Sequence, residues 1–373
     1  IYNRRGKETR NIVLANYSND FSIENLEVIR RYQSNEDNVF FAYSEFSYNT
    51  LVGAYEPFLD IICNMHRRFI GGSFDDFQKE CGVYYLHRQV LNSYYETGEC
   101  FREETVLLNE VAYEQRRMTK AIVDMLKRLS EVRPLMIVIN RFQMASKSSI
   151  ETIKYMIDNP CTNIGIVLGV NALVRGTDST VEVWDRIVES LEDRSAIYYI
   201  GSAGQLKNQI RDTSDDELYI TTNFEQSIQE ASNIMEFLDY EQARRGCRII
   251  EHKIKFEDAW IDEKSLRRFY LIYARTSVLL GEMSKAIELT NEYKALIPES
   301  DSEHYFSIYY FMKGTCYMYQ GKLEKAEGCA KKAYDYALLA DDELLEFKSE
   351  LLSVMIKMSG WYNIFFCVQD IPV

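Results

Sequence analysis

The sequence is poor in proline and histidine, and its cysteines are not paired in motifs. Only 5 of the 373 residues are proline, which leaves little room for extended linkers or disordered tracts, so we expect nearly the whole chain to fold. The 4 histidines and 8 cysteines are scattered and no C-x-x-C pair occurs. This pattern lacks the usual spacing of zinc ligands and favours free thiols in a reducing compartment. We therefore predict no metal site.

Positive charge and long apolar runs are also lacking. The formal net charge is -14, which argues against general binding to nucleic-acid phosphates, because that binding depends on Lys and Arg. Nucleic acid would then be contacted only through a domain absent from this chain. No apolar run reaches the ~18 residues that a membrane-spanning helix needs, and no signal peptide is recognisable. We therefore predict a cytoplasmic protein without membrane contact.

Familiar catalytic motifs are missing as well. The sequence contains no H-E-x-x-H, G-x-S-x-G or G-x-G-x-x-G, so hydrolase chemistry and dinucleotide binding lack their starting evidence. We therefore predict no cofactor.

The length and the hydrophobic pattern predict two domains. A chain of 373 residues exceeds the ~250–300 residues at which a single core stops growing. Over residues 1–211, short β-branched runs alternate with amphipathic helical stretches, which is typical of a parallel sheet covered by helices. The runs LMIVI and IGIVL are continuously apolar, as strands buried on both faces are. The first domain is therefore predicted to be α/β.

An acidic stretch divides the chain. The run DTSDDE has no hydrophobic periodicity, which favours a linker over residues 212–222. Beyond it, over residues 223–373, Tyr, Leu, Ile and Ala recur at three- and four-residue steps, so we predict an all-α domain.

A repeat is the most specific signal in this all-α half. Gly281, Gly321 and Gly360 are spaced by 40 and 39 residues, and Ala286 and Ala326 follow the first two. Glycine suits the tight turn of a helical hairpin, and small residues allow helices to cross closely. This pattern resembles tetratricopeptide repeats, although the period is longer than their ~34 residues. Any array of αα-hairpins would need similar small residues.

The last repeat is expected to be truncated, so that further protein or a partner covers its apolar face. The resemblance also implies a protein or peptide partner bound by the helical repeats. Aromatic residues crowd one repeat and are the candidates for that contact: Tyr305, Tyr309, Tyr310 and Tyr317. They would either line a concave groove as anchors or simply fill helix contacts.

The first predicted strand is followed by a turn and a helix of the lengths found in a P-loop. A P-loop uses glycines, a lysine and a hydroxyl to hold phosphates and Mg²⁺. Here those residues are replaced. Phe21 would crowd a phosphate, and Asp20 would repel it. The residues that would line such a degenerate pocket are Asn16, Asp20, Phe21, Ser22 and Ile23.

The segment PLMIVINRFQMASKSSI, residues 134–150, is similar to the Walker B region of the STAND branch of AAA-like ATPases, which are bacterial signalling proteins. In that family the strand ends in two acids that hold Mg²⁺; here Asn140 and Arg141 occupy their positions. The sequence YNTLVGAYEPFLDII adds an aromatic-x-Pro-aromatic helix start at Tyr55, Pro57 and Phe58. The resemblance covers about residues 1–200 and implies a P-loop fold that has lost ATP turnover.

These features lead to a hypothesis of function with two alternatives. The chain is predicted to be a non-catalytic signalling or regulatory scaffold, with an inactive ATPase-like domain and a tetratricopeptide-like array that binds a protein partner. The first alternative is an atypical NTPase-type signal-transducing regulator that still binds ATP, as part of a larger transcriptional regulator. The second is an unrelated α/β enzyme in which Asn16, Asn140 and Arg141 form a polar cluster at the strand ends.

Overall fold

The computed structural model describes residues 12–17, 39–46, 51–100, 110–171, 187, 197–200, 223–256 and 261–369. The chain divides into two compact units, Ile1–Ile249 and Ile250–Val373. The first unit contains the β-sheet and the second consists of helices in the part that is described. This division agrees with the predicted fold class, an α/β part followed by an all-α part.

The described strands of the first unit form a five-stranded sheet in which every pair is parallel, in the order β2-β3-β4-β1-β5. All strands therefore end at the same edge of the sheet, which we call the carboxyl edge. Every residue of β3 is buried, which explains its continuously apolar sequence. The strands are β1 Ile12–Tyr17, β2 Phe40–Glu45, β3 Leu135–Asn140, β4 Ile164–Asn171 and β5 Ile197–Ile200.

Helices of the first unit present apolar stripes to the core. In the longest, the side chains of Met118, Ile122, Leu126 and Leu129 are fully buried, at the three- and four-residue spacing of an amphipathic helix. The helices are α1 Phe58–Met65, which continues as a π-helical turn His66–Ile70, α2 Phe74–Glu80, α3 Tyr85–Thr97, α4 Val111–Val132, α5 Lys147–Asp158 and α6 Phe224–Glu236. The next helix, α7 Tyr240–Phe256, contains the division between the units.

The division differs from the predicted boundary, because α6 and the first half of α7 belong to the first unit. Phe237 is buried and its ring meets the ring of Tyr55 edge-on at 6.2 Å. The Gln242 amide donates to the backbone oxygen of Val52 at 3.1 Å. The predicted all-α domain therefore begins about 27 residues too early at 223, counted to Ile250. The predicted linker, 212–222, lies outside the described residues.

The second unit is an array of antiparallel helices. Gly281 and Gly321 join successive helices with φ of 78° and 71°, a backbone conformation that glycine adopts at little cost. Both predicted turns are thus confirmed. The helices are α8 Glu263–Leu279, α9 Met283–Ala295, α10 Ser302–Tyr319, α11 Leu323–Leu339 and α12 Glu343–Gln369.

The third predicted turn is not formed, because Gly360 lies inside α12. A polar residue follows each of the first two glycines, whereas Trp361 follows Gly360 and the sequence stays apolar. A glycine by itself does not end a helix that can continue. Although α12 is long, no helix among the described residues combines the length and apolar character needed to cross a membrane.

Small residues let α10 and α11 approach closely, as the sequence predicts. A Cβ at Gly314 would lie 3.1 Å from Leu352 and 3.3 Å from the Cβ of Cys329. The Ser307 hydroxyl donates to the backbone oxygen of Ala333 at 2.8 Å. On α11, four alanines face this contact and are fully buried: Ala326, Ala330, Ala333 and Ala337.

We predict that Gly314→Val destabilises the protein by about 2 kcal/mol, because the added methyl groups overpack the contact with α11 and α12. Gly328→Val is the matched control, since a Cβ there meets nothing within 4 Å; we expect it to be neutral within about 0.5 kcal/mol. Urea unfolding followed by circular dichroism measures both. Equal effects of the two substitutions would contradict the close crossing at Gly314.

Candidate functional site

Asn140 ends β3 at the carboxyl edge of the sheet. Its side chain is only 4% exposed, and its Oδ1 accepts the backbone N–H of Arg141 at 3.0 Å. Its backbone oxygen accepts the N–H of Phe46, the residue after β2, at 3.2 Å. The amide of Asn140 therefore turns back onto its own chain and stabilises the sharp exit from the strand.

Arg141 is the next residue, and it has a left-handed backbone with φ of 55° and ψ of 39°. Non-glycine residues rarely adopt this conformation. The Arg141 guanidinium lies 3.2 Å from a carboxylate oxygen of Glu45, the last residue of β2. The other oxygen of Glu45 accepts the Tyr43 hydroxyl at 3.1 Å. A charge pair thus occupies the edge beside Asn140, where the ATPase resemblance implies two acids.

Gln143 lies two residues further on, in the short 3-10 turn Phe142–Met144. Its side chain is 2% exposed, and among the described residues neither its amide oxygen nor its amide nitrogen has a hydrogen-bond partner. Buried polar groups are nearly always paired. An unpaired amide beside the carboxyl ends of parallel strands is a candidate contact for a ligand, because ligands of such sheets bind in that crevice.

Asp239 connects the segment after β3 to the helices that follow the sheet. One carboxylate oxygen accepts the N–H of Ser148 in the first turn of α5, at 2.9 Å. The other accepts the N–H of Gln242 in the first turn of α7, at 3.4 Å. A single buried carboxylate therefore caps two helices, each of which has unpaired N–H groups at its start.

Two serines extend this junction to the segment before α1. The Ser148 hydroxyl accepts the N–H of Tyr55 at 2.9 Å, and the Ser149 hydroxyl donates to the backbone oxygen of Glu56 at 2.7 Å. The side chains of Ser146, Ser148 and Ser149 also bond to one another. We call the group Ser146, Ser148, Ser149 and Asp239 the serine–aspartate junction.

Burial alters the acidity of two carboxyl groups near this junction. It raises the pKa of Asp239, and the N–H groups of Ser148 and Gln242 only partly oppose that effect. Burial also raises the pKa of Glu56, against the N–H of Gly53, which lowers it. The charged form of each group is thus disfavoured in the folded protein.

The structure places some of the predicted pocket residues and not others. Asn16 lies near the end of β1 opposite Val170 of β4, and Asn140 ends β3. Since β4 lies between β1 and β3, two strand spacings, about 10 Å, separate Asn16 from Asn140. Asp20, Phe21, Ser22 and Ile23 lie outside the described residues.

The four tyrosines chosen as partner contacts mostly contribute to packing within the array. Tyr309 is 3% exposed and its hydroxyl accepts the Lys313 ammonium at 2.7 Å, so Tyr309 is not an accessible anchor. Tyr310 stacks on Tyr336 with ring centroids 5.7 Å apart. Tyr305 packs under the Arg267 guanidinium, and Tyr317 lies 6.0 Å from two lysine ammonium groups.

Sequence reasoning missed Glu45, Gln143 and Asp239. Asp239 had a usable signal, because it precedes a helix and Gln242 follows three residues later, which is the spacing of a capping box. The pairing of Glu45 with Arg141 depends on the neighbouring positions of β2 and β3, which are far apart in sequence. Nothing in the sequence indicates that Gln143 is buried.

Comparisons with protein-family models, with curated proteins and with solved structures find no match to this chain. Within the described part of the chain, no three His, Cys, Asp or Glu side chains come together as ligands of a metal ion would. The function has to be argued from the residues and contacts described above.

We predict that Asp239→Ala destabilises the protein by roughly 3 kcal/mol, because it leaves the N–H groups of Ser148 and Gln242 without an acceptor. Asp239→Asn keeps an oxygen in place and should cost less. Chemical unfolding at pH 7 measures both, with the exposed Asp158→Asn as control. A cost for Asp239→Ala no larger than that of the control would contradict the capping role.

The raised pKa of Asp239 also predicts how the Asn variant depends on pH. A group whose pKa is higher in the folded state stabilises most below its unfolded pKa, near 3.8, and that stabilisation is lost as the pH rises through the folded pKa. Asp239→Asn does not titrate. The stability of this variant relative to the unmodified protein should therefore increase from pH 4 upwards. A pH-independent difference would contradict the assignment.

Proposed function

We propose that the chain is a non-catalytic signalling or regulatory scaffold. In this proposal the first unit is an ATPase-like domain without catalytic acids, and the second unit is a helical array that binds a protein partner. The observation that carries the proposal is the pair Glu45–Arg141 beside Asn140 at the carboxyl edge.

The chemistry of ATP hydrolysis argues for an inactive domain. Phosphoryl transfer needs Mg²⁺ and positive groups that stabilise charge on the phosphates, and Mg²⁺ is bound through carboxylate oxygens. At the end of β3 an amide and a guanidinium stand in those places. Glu45, an acid that the described residues place at this edge, is already paired with Arg141 and with the Tyr43 hydroxyl. A guanidinium at this position would repel Mg²⁺.

The strand order supports the ATPase-like part of the proposal. The chain leaves β1 towards β2 on one side of the sheet, and it leaves the neighbouring β4 towards β5 on the other. β1 and β4 are thus neighbouring strands whose next strands lie at opposite ends of the sheet, and open parallel sheets bind ligands at the carboxyl edge of such a point.

The partner-binding part of the proposal is supported by a row of exposed apolar side chains on α12. In α10, which has helices on both sides in the array, no residue from Ser302 to Tyr319 is exposed. On α12, five large apolar residues are 43% to 62% exposed. They are spaced by three and four residues alternately, and we call them the α12 stripe: Leu344, Phe347, Leu351, Val354 and Met358.

The spacing of the α12 stripe indicates the kind of partner. Apolar residues that alternate three and four apart form the seam along which a second helix packs. Acidic and basic groups flank the stripe at Glu343, Lys348, Glu350 and Lys357. An amphipathic helix is therefore the element that would cover it, in the way that helices lie in apolar grooves of other binding proteins.

One observation favours the alternative, a regulator that still binds ATP. The unpaired amide of Gln143 lies buried near the carboxyl edge, and a bound ligand with hydrogen-bonding groups would pair it. The two proposals differ in whether nucleotide binds, so a direct titration separates them.

We predict that calorimetric titration of the protein with ATP and Mg²⁺ gives no binding heat, and that no phosphate is released, because Asn140 and Arg141 stand at the end of β3 in place of the acids that would hold the metal. Binding with a Kd in the micromolar range would favour the regulator that binds ATP.

The variant Gln143→Met gives a second measurement on the same question. If no ligand binds, the substitution removes a buried unpaired amide and should stabilise the protein by about 1 kcal/mol. If nucleotide binds through Gln143, the substitution should instead weaken ATP binding. The control is Glu225→Gln, at an exposed position. Gln115→Met would not serve, because Gln115 donates to the backbone oxygen of Leu238.

We also predict that the double substitution Leu351→Glu and Val354→Glu changes the free energy of unfolding by less than about 1 kcal/mol, because both side chains are exposed. Leu352→Ala, on the buried side of the same helix, should cost about 3 kcal/mol. The double variant should also bind less of a hydrophobic fluorescent dye. A large loss of stability in the double variant would show that this chain itself covers the α12 stripe.

A further inference from the structure

The α12 stripe lies on the far side of its helix from the residues that pack within the array. Those packed residues are buried against α10 and α11 and share one side of α12: Leu345, Ser349, Leu352 and Ile356. At 3.6 residues per turn, the centre of the stripe is about 150° around the helix from the centre of this buried side. The helices α10 and α11 therefore do not reach the stripe, and a further element would be needed to cover it.

Two residues of opposite charge flank the α12 stripe on the same side. Glu350 and Lys357 are separated by two helical turns, so they lie at nearly the same angle around α12, next to the apolar seam. Both side chains are exposed. Among the described residues, neither of them forms an ion pair. Each charge is thus available to an element that packs on the stripe.

The apolar residues of the stripe match a second copy of α12 that runs in the opposite direction. In an antiparallel pair of identical helices, a residue before the centre of the contact faces a residue equally far after it. With the centre midway between Leu351 and Val354, Leu351 packs on Val354 of the second copy. Phe347 and Met358 lie at equal distances from this centre, so they also pack on each other across the pair. Every layer then joins two exposed apolar side chains.

The same register pairs the flanking charges. In an antiparallel pair, one flank of the seam meets the same flank of the other helix, so Glu350 meets Lys357 of the second copy. Two-fold symmetry forms this pair twice. In a parallel pair opposite flanks would meet, and Glu350 would face Met355 of the second copy. The exposed charges of α12 are therefore complementary to α12 itself in the antiparallel direction.

We propose that a second copy of this chain covers the α12 stripe, so that two chains form an antiparallel, two-fold symmetric dimer through α12. This inference rests on the proposed function, because it names the helix that occupies the stripe. The contact is shorter than those of most stable complexes, which bury ~1,200–2,000 Å². We therefore expect a Kd on the order of 10 µM. Well below that concentration the chain is monomeric, and the stability and dye-binding predictions above apply to the monomer.

Sedimentation equilibrium of the full chain between about 1 and 100 µM measures the dimer. Glu350→Lys places two lysines opposite each other at both ends of the contact, and Lys357→Glu does the same with two glutamates. Each variant should weaken dimerisation at least tenfold, because like charges meet. Glu327→Lys and Lys331→Glu, at exposed positions of α11, change the net charge equally and should leave the dimer intact. Circular dichroism checks the fold of each variant.

Mixing the two charge variants tests the direction of the helices. One variant carries lysine at both flanking positions and the other carries glutamate at both, so an antiparallel pair with one chain of each kind contains two ion pairs. The equimolar mixture should therefore dimerise about as tightly as the unmodified chain, although each variant alone does not. The chain with both Glu350→Lys and Lys357→Glu should also regain the dimer. A parallel pair would gain nothing from the mixture, because these two positions do not meet in it.

Three outcomes would overturn the dimer. A chain that stays monomeric at about 100 µM would do so and would leave the proposed function standing, since the stripe would remain open to a helix of another protein. A dimer that survives Leu351→Glu with Val354→Glu would have its contact elsewhere. A mixture of the charge variants that stays as weakly associated as each variant alone would exclude the antiparallel pair. The proposed function itself fails if the double glutamate variant loses much stability, which the unfolding measurement above detects separately.

Discussion

The buried carboxylate of Asp239 is the constraint on which the geometry of the first unit depends. It holds the starts of α5 and α7 together, and Ser148, which it caps, also accepts the N–H of Tyr55 just before α1. Three segments that are distant in sequence therefore meet at one point. Because α5 follows the end of β3, the junction positions the carboxyl edge together with the start of α1. Burial makes the carboxylate of Asp239 costly to charge. Its contribution to the fold is therefore the positioning of the two helix starts that it caps.

Two carboxylates of the first unit differ in their partners. At the carboxyl edge, Arg141 and Glu45 neutralise each other, so this pair offers no free carboxylate to a divalent metal. Asp60 of α1 accepts the Tyr94 hydroxyl and forms no ion pair within the described part of the chain. A carboxylate without a counterion attracts a basic group more strongly than one already paired. The charge pair at the end of β3 thus argues against nucleotide chemistry there, even though the parallel sheet is the kind of scaffold that often binds nucleotides.

Local sequence signals predicted the described strands and two of the three hairpin turns, whereas features set by long-range contacts were not predictable. β3 and β4 were recognisable because strands buried on both faces are continuously apolar, and Gly281 and Gly321 because hairpin turns need a positive φ. The domain boundary was misplaced because α6 carries the same helical periodicity whichever unit it packs against. The contact between Gln242 and Val52, which assigns the start of α7 to the first unit, spans 190 residues. For the same reason, the unpaired state of Gln143 and the pairing of Glu45 with Arg141 were not predictable from the sequence.

If the acids at the end of β3 were lost, catalysis would no longer constrain the fold, whereas binding of a partner would still constrain it. The packing of α1 against the sheet does not depend on the residues at the ends of the strands. A parallel sheet that did not turn over ATP would still be a rigid scaffold on which other contacts are built. The α12 stripe of the helical array is exposed and apolar, and its spacing would suit a second helix. Pairing of two copies through this stripe would bring two first units into one assembly, which is the physical content of calling the chain a scaffold.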